Sequence, residues 1–61
     1  MTIETVGDRR YYSDLEQGKV SSMLETAANM GINAEFSVDN GTWMALIAPT
    51  QEQIQAFEAT L

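Results

Sequence analysis

The segment Ile32–Ala48, INAEFSVDNGTWMALIA, decides how this chain folds, because two apolar-alternating runs meet at Asp39-Asn40-Gly41-Thr42. An Asn-Gly pair between such runs is the strongest short-range signal of a two-residue β-hairpin turn, since a type I′ turn needs positive φ at both central residues. With Asp39 opposite Thr42, counting outward pairs Val38 with Trp43, Phe36 with Ala45 and Ala34 with Ile47. Side chains alternate along a strand, so those six residues share one face, the expected core face. The other face receives Ser37 with Met44, Glu35 with Leu46 and Asn33 with Ala48. It is polar along the first strand but apolar at Met44 and Leu46, which are therefore expected to meet a covering element or a partner. Trp43, beside the turn, reads as a cap on the core against Val38.

Helix signals flank the hairpin. Ser13-Asp14-Leu15-Glu16 has the S-x-x-E capping-box pattern and predicts a helix from Asp14 to Met30. Val20, Met23, Leu24 and Ala27 follow the spacing of one buried stripe, and Gly31 stands where a left-handed C-terminal cap belongs. Gly18 within that helix costs about 1 kcal/mol relative to alanine, and Asp14, Ser21, Glu25 and Asn29 mark the solvent side. Pro49 cannot donate to a ladder and ends the second strand, and Thr50-Gln51-Glu52-Gln53 is a second capping box. A short C-terminal helix with Ile54, Phe57 and Leu61 on one side must dock on the sheet or on a partner. Thr2–Val6 leaves room for a short N-terminal strand, although Ile3 and Val6 are out of phase for one face, and Gly7-Asp8-Arg9-Arg10 reads as a turn or loop. The expected fold is one α+β domain over residues 1–61: a helix, an antiparallel β-hairpin and a short helix, with that optional N-terminal strand.

Size and composition narrow the functional classes. A chain of 61 residues buries only about 60% of the surface its unfolded form exposes. Without cysteine it has no disulfide, and without cysteine or histidine it lacks the ligands of the usual zinc sites. Small unstapled domains gain burial by self-association, which makes a homodimer the expected state. No apolar run approaches the ~20 residues of a membrane span, and Met1-Thr2-Ile3-Glu4 lacks the basic start of a signal peptide, so a soluble cytoplasmic protein is expected. Nine acidic against three basic residues, net −6, disfavour direct contact with nucleic acid or an anionic membrane and favour a basic or neutral protein partner.

Catalytic chemistry has little to work with. The missing histidine and cysteine remove the commonest proton shuttles and activated nucleophiles. The carboxylates Glu4, Asp8, Asp14, Glu16 and Glu25 show no pairing by spacing, and Ser21-Ser22 has only Lys19 as a neighbouring base. Asp39-Asn40-Gly41 lacks the further ligands of a calcium loop, and the scattered glycines form no phosphate cradle. The chain is expected not to be an enzyme and to need no metal or cofactor.

One cluster has interface character: Arg9-Arg10-Tyr11-Tyr12, which joins two of the three basic residues to the residue types enriched at binding hot spots. Its competing reading has both tyrosines packing over the hairpin and the arginines pairing with Asp8 or Asp14. The expected partner-binding residues are Arg9, Arg10, Tyr11, Tyr12, Met44 and Leu46. They suit a non-catalytic acidic module of the phage- or mobile-element-inhibitor type, occluding a site on a host nucleic-acid-processing protein involved in defence, replication or transcription. The alternative is a self-assembling structural subunit with no separate target.

Overall fold

A computed structural model describes all of residues 1–61. The chain order is β1 (Thr2–Val6), β2 (Arg9–Ser13), α1 (Gln17–Asn29), β3 (Ala34–Ser37), β4 (Trp43–Ile47) and α2 (Gln51–Glu58). One four-stranded antiparallel sheet has the spatial order β1-β2-β4-β3, so β4 lies between the two strands that α1 connects. The α+β class and the order helix, hairpin, short helix are as the sequence implies. The N-terminal strand forms too, and with it a second hairpin.

That second hairpin narrows the reading of Gly7–Arg10 as a turn or loop: Gly7 and Asp8 are the turn, and Arg9 and Arg10 belong to a strand. Val6 pairs with Arg9, which leaves Gly7-Asp8 as a two-residue turn, and Gly7 has φ 61°. Positive φ at the first central residue alone is the requirement of a type II′ turn, a common tight hairpin connection. Arg9 to Ser13 thus form an inner strand, and the phase conflict of Ile3 and Val6 is real: they project from opposite faces of an edge strand. The β1–β2 turn is held from below by Ala48, whose N–H donates to the Asp8 carbonyl at 2.7 Å.

The register around Asn40-Gly41 also departs from expectation. β3 and β4 pair Ala34 with Leu46, Glu35 with Ala45, Phe36 with Met44 and Ser37 with Trp43, one residue away from the register of a two-residue turn. Gly41 has φ 85°, but Asn40 is not in the positive-φ region, so the chain turns through the longer loop Val38–Thr42. A slip of one residue sends every side chain of a strand to the other face. Here it turns Met44 and Leu46 toward the helices and Trp43, Ala45 and Ile47 away from them. The reason is visible in the core: Met44 and Leu46 join Tyr12, Leu15, Val20, Met23, Ala27, Ile32 and Phe57 in a single buried cluster. Turning Trp43 and Ile47 inward would instead leave the two long aliphatic side chains outside. Phe36 keeps its expected face but, on an edge strand, stays 54% exposed, and Val38 lies in the loop.

Both helices cover the same face. Val20, Met23 and Ala27 of α1 are buried, with Leu24 packed beside them, as their spacing implies. Its C-terminus closes with Gly31 at φ 73°, the Gly31 N–H donating to Ala28 and the Ile32 N–H to Ala27. This is the Schellman pattern, and Ile32 and Ala27 are both buried in the core. The N-terminus differs from expectation. Ser13 is taken into β2, Glu16 is the N-cap without a side-chain cap bond, and Leu15 is buried with its N–H donating to the Thr42 carbonyl at 3.0 Å. Anchoring Leu15 delays the helix to Gln17. At α2 the capping box forms in full, with Gln53 N–H donating to Thr50 Oγ1 at 3.1 Å and Thr50 N–H to Gln53 Oε1 at 2.9 Å. No helix is long and apolar enough to cross a membrane.

Two substitutions test this architecture. Leu46→Lys places a charge in a fully buried site and should abolish the cooperative thermal transition; a folded variant with a circular dichroism spectrum like the parent's would contradict the register. Gly41→Val, which forces a β-branched residue to positive φ, should cost about 1–2 kcal/mol and lower Tm by roughly 4 °C or more.

Candidate functional site

Alternation along β2 divides the Arg-Arg-Tyr-Tyr cluster between the two faces of the sheet. Arg10 and Tyr12 turn toward the helices, where Tyr12 is fully buried against Phe57, ring centroids 5.3 Å apart. Glu58, the last residue of α2, accepts two bonds on one oxygen: from Arg10 Nε at 2.9 Å and from the Tyr12 hydroxyl at 2.7 Å. Arg10 also donates to Thr5 Oγ1 at 2.8 Å, so one guanidinium ties β1, β2 and α2 together. The hydrogen bond from Arg10 holds the Glu58 carboxyl below its ordinary range, and burial raises the Tyr12 phenol well above its own. These residues clamp the fold; Tyr12 has no exposed surface, and the Arg10 and Glu58 side chains are only partly exposed. Met44 and Leu46, expected at an interface, are likewise core residues with no exposed surface.

The helix-free face carries what remains. Its central row across the sheet is Glu4, Tyr11, Ala45 and Glu35, one residue from each strand. Trp43 sits diagonally from Tyr11, with ring centroids 5.6 Å apart and planes tilted by 57°, within the favoured range for aromatic pairs. Arg9 and Ile47 form the next row with Val6. Arg9 reaches diagonally across β4 to Glu35, Nη1 to Oε2 at 2.7 Å with a second bond at 3.3 Å. Ala45, short and flanked by these longer side chains, is fully buried although no helix covers it. Trp43 and Tyr11 are half-buried, Ile47 is half-buried and Val6 is 52% exposed. This face is an aromatic and aliphatic platform, crossed by the Arg9–Glu35 pair, over which no helix lies.

Pairing of the arginines holds as an idea but with other partners than Asp8 and Asp14: Glu35 and Glu58 are distant in sequence and only the sheet and the docking of α2 bring them near. The electrostatic consequence is large. Two of the nine carboxylates neutralise both arginines. Glu4, Asp8, Asp14, Glu16, Glu25, Asp39 and Glu52 are all exposed, and Lys19 is the one basic side chain outside an ion pair. The exposed unpaired charge is therefore predominantly negative.

No group of three or more metal-ligating side chains converges anywhere. A shallow, open depression of about 160 Å³ lies between the β1–β2 turn and the start of α2, bordered by Gly7, Asp8, Arg10, Pro49 and Ile54. It is smaller than an ordinary small-molecule site. No family model, curated protein or solved structure matches this chain, so the reading of its surface rests on the surface itself.

Trp43, read from the sequence as a cap on the core against Val38, lies instead on the helix-free face. The signal was present: the strict alternation of Arg9–Ser13 requires Tyr11 and Tyr12 to part company, and only one tyrosine can share a face with an outward tryptophan.

The clamp yields a pH prediction. The Glu58 carboxyl titrates below its ordinary value of 4.5 in the folded chain, so its stabilising contribution is present above that value and is lost as pH falls through the lower folded value. Urea unfolding of Glu58→Gln should show a loss of about 1 kcal/mol at pH 7 and a smaller further loss on going to pH 3 than the parent shows. Equal acid losses in the two proteins would remove the clamp from the account.

Proposed function

We infer that this chain is a non-catalytic protein-binding module that docks through the helix-free face of its sheet. The observation that carries this reading is the Tyr11–Trp43 pair, with Ile47 and Val6 beside it, on the sheet face that no helix covers, while the other face packs its centre against both helices. Aromatic residues at the centre of a flat patch are the usual anchors of protein interfaces, and a polar rim is their usual surround. Rigid strands rather than loops hold these anchors, so little ordering entropy is lost on binding.

The acidity supports a class of target. Proteins that process nucleic acid hold the phosphate backbone with arginine and lysine side chains. An acidic module with an aromatic platform is complementary to such surfaces, and its docking would occlude them. An occluding inhibitor of nucleic-acid-processing machinery is thus the finer form of the reading. The distribution favours docking over imitation of nucleic acid, because the exposed carboxylates are spread over both layers and not ranked in a phosphate-like row.

A second reading, self-assembly, draws on the two edge strands. β1 and β3 leave their outer N–H and C=O groups unpaired, and Ile3 and Phe36 are exposed there, 43% and 54%. Against it, Glu4 and Glu35 stand mid-strand on those edges, the position where charges suppress edge-to-edge pairing.

The experiment pairs affinity capture from the native host with solution mass. Tyr11→Ala with Trp43→Ala should keep the parent's circular dichroism spectrum and lose a stoichiometric partner that the parent retains, while the free protein runs at its monomer mass of 6.7 kDa. Retention of the same partner by the double variant would overturn the docking face. A dimer mass that persists at low concentration, with no partner recovered, would favour self-assembly.

A further inference from the structure

The platform is placed beside a carboxylate in a way that selects what it can receive. Glu4 of β1 is directly opposite Tyr11 of β2, exposed and in no ion pair. Directly opposed residues of antiparallel strands have Cβ atoms about 5 Å apart, so Glu4 neighbours Tyr11 on the β1 side of β2, and Trp43 of β4 lies on the other side. The geometry points to a receptor for a guanidinium: Tyr11, Trp43 and Glu4 together take one arginine side chain from a basic segment of a partner protein. This rests on the protein-binding reading above and names the chemistry its target presents.

Three observations choose this occupant. A planar cation gains from an aromatic face and from a carboxylate at once, whereas a neutral apolar side chain would gain nothing from Glu4 and would crowd its hydration. The protein has no free guanidinium of its own to offer, because Arg9 and Arg10 are each committed to an internal glutamate, at 2.7 and 2.9 Å. A second copy is for the same reason a poor occupant: it would bring net charge −6 toward net charge −6 and no free guanidinium. Arg9 stands beside the Tyr11 hydroxyl, but both of its fork bonds go to Glu35 across β4, and it leaves the Glu4 side of the ring open.

The test uses the whole chain and a hexa-arginine peptide, with a hexa-lysine peptide of equal charge as comparison, at low salt. Amide and indole NMR shifts and the emission of Trp43, the single tryptophan, report binding. Arginine peptide should shift Glu4, Tyr11 and the Trp43 indole first and should bind more tightly than lysine peptide. Glu4→Gln and Tyr11→Leu should each weaken it about threefold, the second because leucine keeps apolar area but has no π face. Glu25→Gln, an equal charge change on α1, should leave affinity within twofold. Shifts spread over α1, equal loss in Glu25→Gln and Glu4→Gln, indifference to Tyr11→Leu, or no binding at millimolar peptide would each overturn the inference. If the peptides fail while the native partner is still lost on Tyr11→Ala with Trp43→Ala, the arginine site falls and the protein-binding reading stands.

Discussion

Everything in this molecule depends on β4 lying between β2 and β3 with Met44 and Leu46 turned to the helices. Met44, Ala45 and Leu46 are all fully buried, the longest such run in the chain. The two long side chains supply the floor on which Tyr12, Met23, Ala27 and Phe57 assemble. A domain of this size has few core residues, and each fully buried aliphatic side chain contributes on the order of 2 kcal/mol. The hydrophobic gain from these two is comparable with much of the net stability such a domain can have. That is why core burial overrides the preference of Asn40-Gly41 for a two-residue turn: the cost of a longer loop is a fraction of the burial it permits.

The same constraint makes the other face. Once even-numbered residues of β4 point inward, Trp43 and Ile47 must point outward, and the register with β2 brings Tyr11 alongside them. The platform is a geometric consequence of the core, but its composition is not. A sheet face meant only for water would carry threonine, serine and lysine where this one carries tryptophan, tyrosine, isoleucine and valine. The charged groups are arranged to match: Glu35 consumes Arg9 over Ala45, Glu58 consumes Arg10 under the sheet, and the remaining surface is left anionic.

How much of this could be read in the sequence follows the range of the interactions. Signals within one turn of helix were legible: the buried stripe at Val20, Met23 and Ala27, the glycine cap at Gly31 and the capping box at Thr50–Gln53 all depend on neighbours a few residues away. The first capping box failed because Ser13 and Leu15 answer to distant partners, Thr2 and Thr42. The strand register failed for a related reason: turn preference is local, whereas the choice of inward residues is made by the whole core. The start of β2 at Arg9 was obscured because β1 has no apolar alternation to announce a hairpin around Gly7-Asp8. At the candidate site, Arg9, Arg10, Tyr11 and Tyr12 were grouped by sequence adjacency, which in a strand means opposite faces, and Met44 and Leu46 were placed outside by the one-residue error in register.

The measurement that bears most directly on this account is a nuclear Overhauser map of the hairpin and its single tryptophan. Cross-strand contacts of Phe36 with Met44, Met44 methyl contacts with Tyr12 and the helices, and Trp43 indole contacts with Tyr11 but not with Val20 or Met23 are the predicted result. Phe36 in register with Ala45, with the indole touching α1, would place Trp43 in the core and Met44 and Leu46 outside, contradicting both the fold and the binding face proposed from it.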